Sequence, residues 1–135
     1  MNTTDLTTYV RDLTGILTTD VVSDALIVRW LNESYKEIAR LEEWPWLPAA
    51  DLVTTPTPNS PAFAAEFHPV IAYLTAVRVL NFVSDDTTRA QFFTQEASTL
   101  IDDMRQVYFP ALATGAAGTR AQLRRLVRDL TNVYD

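Results

Sequence analysis

The chain contains no cysteine, a single histidine, a single lysine and only three glycines. Without cysteine there are no disulfide staples, thiolate-bound metals, iron–sulfur clusters or cysteine nucleophiles. With His68 standing alone, a histidine zinc site or a triad that needs an auxiliary histidine has little to build on. Gly15, Gly115 and Gly118 are too scattered to make a glycine-rich phosphate loop. Long apolar runs are also missing. Stretches such as Pro69–Leu74 fall far short of the ~20 residues of a membrane span. The opening MNTTDLTTYVRDL is polar and acidic, with neither the basic nor the apolar segment of a secretory signal. These absences predict a soluble chain that is not exported by a signal of its own.

What is present is the balance of a folded domain. Hydrophobic residues make up 47%, charged residues 21% and aromatics 10% of 135 residues. That length suits one domain with an arm, and it can bury roughly two-thirds of its unfolded surface without a metal or disulfide. The net charge of −6 is unevenly spread. Residues 1–118 carry seven basic and fifteen acidic side chains, whereas residues 119–135 carry Arg120, Arg124, Arg125 and Arg128 against Asp129 and Asp135. The acidic body disfavours tight binding of phosphates. The basic tail is a separate element, and what partner it meets is a separate question.

Periodicity predicts an all-α chain. Thr4 is placed to cap a first short helix in which Leu6, Val10 and Leu13 recur at helical spacing, with Gly15 as its left-handed stop. After a turn over 16–22, Ser23 caps a second helix over 23–43. Ile27, Trp30, Leu31, Ile38 and Leu41 mark its inner face, and Arg29, Asn32, Glu33, Lys36, Glu37 and Arg40 lie outside it. Glu33 and Glu37 are spaced to pair with Lys36 and Arg40. Pro45 ends that helix within the dense cluster Trp44-Pro45-Trp46-Leu47-Pro48, and a loop spotted with Pro56, Pro58 and Pro61 follows. Pro69 opens a third helix that is apolar nearly all round, as a central or subunit-covered helix would be. Ser84-Asp85-Asp86-Thr87 breaks it and caps a fourth, striped by Ala90, Phe93, Ala97, Leu100, Ile101, Met104 and Tyr108 and ended by Pro110. The domain division expected is a helical bundle over 1–113 and an arm over 114–135, joined through Gly115 and Gly118. In the arm, Leu123, Leu126, Val127 and Leu130 form a stripe opposite the arginines. The fold expected is a small antiparallel bundle of about four helices with a long Pro/Thr-rich loop and a C-terminal helical arm.

Candidate chemistry is sparse. Asp85-Asp86 and Asp102-Asp103 are adjacent carboxylates, but neighbours on a helix point apart and no calcium-loop pattern surrounds either pair. Helix capping explains the first pair and a solvated face the second. His68 stands at a helix entry two residues after Glu66, with nothing to complete an acid–base site. No enzyme, cofactor or metal is therefore expected. Trp44 and Trp46 either close the base of the bundle core or form an interaction hot spot.

The run Ile27-Val28-Arg29-Trp30-Leu31-Asn32-Glu33-Ser34-Tyr35-Lys36-Glu37-Ile38-Ala39, leading into Trp44-Pro45-Trp46, resembles the N-terminal half of tailed-phage head–tail adaptor proteins. The later order is similar as well: an aromatic-His-Pro entry, an alanine-rich apolar helix, an Asp-Asp break and a long amphipathic helix. The resemblance covers about residues 5–109. It implies a helical bundle that assembles as a ring, typically a dodecamer, beneath the portal protein in the virion neck after synthesis in the host cytoplasm. Such a ring does no chemistry, extends the DNA channel without binding DNA specifically, and docks the stopper or tail. On that reading the arm residues Arg120, Leu123, Arg124, Leu126, Val127, Arg128, Leu130 and Tyr134 touch the portal. Trp30, Trp44, Trp46, Phe67 and Tyr73 fill the core or a subunit interface. The physics is compatible: an acidic lumen lets DNA slide, and a closed ring needs two different complementary patches on each subunit. The rival reading is a small α-helical regulator that binds DNA through residues 119–131.

Overall fold

A computed structural model describes residues 1–46, 52, 59–84 and 86–110. Among these residues the chain is all-helical. Helix α1 spans Thr3–Thr14, α2 Asp24–Leu41, α3 Pro69–Val83 and α4 Thr87–Tyr108, with one 3-10 turn at Ala65–Phe67. None of these helices is long and apolar enough to cross a membrane. The chain divides into two compact units, Met1–Ile101 and Asp102–Asp135.

Helix α1 is a poor helix former by composition, since five of its twelve residues are threonine. Its ends and its buried hydroxyls make up the difference. The cap is Asn2, not Thr4: the Asn2 side chain accepts from the Asp5 amide at 2.9 Å, and the Asp5 carboxylate accepts from the Asn2 amide at 3.0 Å. The carboxamide two residues earlier makes this reciprocal box with Asp5 at the third helical position, and a Thr4 cap, with Thr7 there, could not. Thr7 and Thr14 turn their hydroxyls back onto the carbonyls of Thr3 and Val10, at 2.8 and 2.9 Å, so burial leaves neither hydroxyl orphaned. Gly15 stops the helix at φ 74°, as its position predicts.

Helix α2 starts at its expected cap, with the Ser23 hydroxyl accepting from the Leu26 amide. It ends at Leu41, two residues before the expected limit, because Glu42 is already extended ahead of the Trp44-Pro45 corner. The pairing expected for Glu37 along the helix is replaced by a cross-helix one: the Arg78 guanidinium lies 2.8 Å from its carboxylate.

Helix α3 occupies the middle of the first unit, packing on both α1 and α2. Met1 lies opposite His68 and Tyr9 opposite Tyr73, so α1 and α3 run the same way. Trp30 meets Phe82 and Ser34 meets Thr75, so α2 runs against α3. Leu6, Val10, Ile27, Leu31, Ile38, Val70, Ile71 and Val79 are at most 1% exposed, each burial stabilising by ~1.5–3 kcal/mol before ordering costs. A polar link within this core, Ser34 to Thr75 at 3.1 Å, joins two fully buried hydroxyls to each other. The start of α4 adds Phe93 to Ala76 and Leu80, with Leu13, Tyr73 and Val77 around them. Asp86 caps α4 by accepting from the Arg89 amide at 3.0 Å. In the second unit the described residues carry α4 to Tyr108, with Arg105 2.8 Å from Asp102.

Candidate functional site

The richest constellation lies where α2 meets the aromatic corner. Asn32, expected on the solvent side, is half-buried and grips the backbone of Leu52. Its Nδ2 donates to the Leu52 carbonyl at 2.9 Å, and its Oδ1 accepts from the Leu52 amide at 2.6 Å. Leu52 is fully buried, so its peptide groups have no water to turn to. One turn later Tyr35 is buried, and its hydroxyl accepts from the Ala62 amide at 2.8 Å. At the end of the same face the Ile38 carbonyl accepts from the Trp44 indole at 2.8 Å. Two side chains and a carbonyl at three-residue spacing thus fasten three points of the connection between α2 and α3. The spacing of Asn32 and Tyr35 was visible in the sequence; their use was not, because the partners are backbone groups.

The rings complete the corner. Trp46 stacks on Trp44 at 5.8 Å and lies 5.2 Å from Phe63 and 6.1 Å from Tyr35. Phe63 stands edge-on to the His68 imidazole at 5.4 Å. Both tryptophans are half-buried, and the Trp46 Nε1 is shielded from solvent with no hydrogen-bond partner among the described residues. Of the other aromatic residues expected in core or interface, Phe67 is buried in the 3-10 turn. Tyr73 is half-buried between Tyr9 and Phe93, and Trp30 lies far along α2 against Phe82. The five residues therefore do not form one patch. The arm residues Arg120, Leu123, Arg124, Leu126, Val127, Arg128, Leu130 and Tyr134 lie outside the described residues, as does Asp85.

The titratable groups here are used structurally. Both ring nitrogens of His68 are engaged: Nε2 donates to the Phe63 carbonyl at 2.8 Å and Nδ1 accepts from the Met1 amine at 2.7 Å, so Glu66 is not its partner. Burial, chiefly, pushes the imidazole below its ordinary 6.5; the bond to Phe63 opposes the shift, and the positive amine reinforces it. Tyr73 is pushed up to about 12, first by its hydrogen bond with Tyr9 and then by burial, so it stays a neutral phenol. No group of three or more potential metal-ligating side chains occurs among the described residues.

The depressed His68 pKa makes a pH prediction. The unfolded chain takes up a proton below pH 6.5 where the native imidazole resists, so stability present above 6.5 is lost as pH falls through the native value. Urea unfolding should show a weaker native state at pH 5.5 than at 7.5, with a slope of at most about 1.4 kcal/mol per pH unit from this one group. His68→Gln should flatten that slope. An unchanged slope in the variant would assign the loss to other groups.

Sequence reasoning passed over Arg11 as well as Asn32. Arg11 is 9% exposed, and its guanidinium gathers the carbonyls of Ile16, Thr18 and Val22 together with the Asp24 carboxylate. It shapes the entire α1–α2 loop from inside. An arginine in an apolar stripe beside a loop of exposed residues is the one signal that could have singled it out.

No protein-family model, curated protein or solved structure matches this chain.

Proposed function

We propose that this chain is a structural head-to-tail adaptor of a tailed-phage neck, a ring subunit that attaches to the portal, continues the DNA channel and receives the stopper or tail. On this reading it is a virion protein without catalytic activity or cofactor. The observation that carries the reading is the role of the residues that bear the resemblance. Leu31 and Ile38 are fully buried, while Asn32, Tyr35, the Ile38 carbonyl and Trp44 tie the segment after α2 to that helix. The motif is thus one connected device for holding a long loop against a bundle rather than a chance string of common residues. The acidic balance of residues 1–118 also supports the reading, because a channel wall that repels phosphate does not grip passing DNA.

The test pairs the purified chain with its portal. Electron microscopy should show rings with a central hole, and the full chain should co-purify with portal while a chain truncated after Ala117 should not. The arm stripe Leu123, Leu126, Val127 and Leu130 would bury on the portal, with Arg120, Arg124 and Arg128 steering it toward acidic surface. Even modest affinity per arm becomes firm attachment when repeated round a ring. Truncation that lowers the stability of the body by several kcal/mol would make residues 119–131 part of the core and end the arm assignment. The free protein should bind duplex DNA weakly and lose that binding in moderate salt. A sequence-specific complex at physiological salt would replace the adaptor with a DNA-binding regulator.

A further inference from the structure

We infer that residues 119–131 return along the end of α4 as the second helix of an αα-hairpin, laying Leu123 and Leu126 over Met104, so that the segment assigned above to the portal is stowed in the free chain. The hairpin stands on the Asp102–Asp135 unit alone. Its role as a stowed portal contact rests on the adaptor reading.

Met104 is buried in a way that its own helix does not explain. It is 0% exposed, although it lies one turn from the end of α4 at Tyr108. The covering is one-sided. Asp102, Asp103, Gln106 and Val107 are exposed, Val107 by 52%, while Arg105 and Tyr108 are half-buried. A lone helix leaves side chains all round its circumference in water, so a face this dry lies under a second element. Asp102–Asp135 is a compact unit of its own. Past Pro110 it consists of residues 111–135, and they are the source that this unit offers for the second element.

The sequence of that remainder suits the task. Leu123, Leu126, Val127 and Leu130 recur at helical spacing, an apolar face that needs a partner. Without one, a helix of this length is marginal. Residues 111–118, which include Gly115 and Gly118, have the length of a connection between antiparallel helices. Met104 precedes that connection by about as many residues as Leu123 and Leu126 follow it, so an antiparallel return sets those leucines at its level. The unbranched thioether of Met104 adapts readily to fill the space between two helices. Arg120, Arg124 and Arg128 lie off the stripe and stay available to steer the segment toward an acidic surface. One apolar stripe cannot cover Met104 and the portal at once. Portal binding must therefore open the hairpin, and its apparent affinity is lowered by the fraction of chains that are open.

Hydrogen exchange on the full chain tests the hairpin directly. The amides of residues 102–108 should exchange about tenfold more slowly in wild type than in a full-length double variant, Leu123→Asp with Leu126→Asp. The amides of α1, α2 and α3 should exchange alike in both. Val107→Asp, on the exposed side, should change neither set. Equal exchange at 102–108 in wild type and the double variant would overturn the inference, because another segment would then cover Met104. Faster exchange throughout α1, α2 and α3 in the double variant would also overturn it, by making residues 119–131 part of the body. The stowing has its own readout. Met104→Ser leaves the segment intact and weakens its seat, so capture by the portal should strengthen about fivefold. Capture no tighter than that of wild type would overturn the stowing. A portal that retained neither protein would end the adaptor reading, while the exchange data would still decide the hairpin.

Discussion

Arg11→Met is expected to cost about 3 kcal/mol of folding stability, more than any surface substitution in the chain. The guanidinium is almost wholly buried. Its Nη1 donates to the carbonyls of Ile16 and Thr18 at 3.2 and 2.9 Å, its Nη2 to that of Val22 at 2.9 Å, and both Nε and Nη2 reach the Asp24 carboxylate. Methionine fills a similar volume but leaves three carbonyls without a donor. Asp24 is 56% exposed and can rehydrate, so the loss comes chiefly from the carbonyls and from the shape of the loop rather than from the ion pair. Arg11→Lys should fare little better, because a single ammonium cannot span groups on two sides as a planar fork does. Chemical denaturation followed by helical circular dichroism checks this. A loss below about 1 kcal/mol for methionine would mean that water already serves these carbonyls.

Trp46→Ala is the second large effect, expected at about 3 kcal/mol, the lower end of the range for a buried aromatic because the ring is half-exposed. Its truncation removes the stacking partner of Trp44 and the ring that packs against Phe63 and Tyr35, whose hydroxyl holds the Ala62 amide. Trp46→Phe should behave differently. It keeps most of the contact while deleting an indole N–H that is buried without a partner among the described residues, so its cost should stay under about 1 kcal/mol. The two variants together separate packing from hydrogen bonding. If Trp46→Ala melts like wild type but no longer assembles on the portal, the corner belongs to an interface and not to the core.

The contrast between these two sites and the helices around them shows what kind of information a sequence carries openly. The four helices, the Ser23 and Asp86 caps and the Gly15 stop were legible because each depends on residues within a turn of one another. Local chemistry of that sort is periodic and short-ranged, and so is the apolar stripe that identifies a bundle. Composition likewise determined some exclusions: without cysteine the chain can form no disulfide, thiolate-bound metal site or cysteine nucleophile. What only the tertiary structure decided is where polar side chains find their partners. Asn32 reads as an outward residue on a helical wheel, yet it is bonded to a backbone segment twenty residues away. Glu37 reads as the mate of a neighbour on its own helix, yet it pairs with Arg78 across the α2–α3 seam. Arg11 reads as one more charge in the last turn of α1, yet it organises a loop from the interior. In each case the partner is a backbone carbonyl or a residue distant in sequence. Its position depends on how helices cross rather than on what any one helix contains.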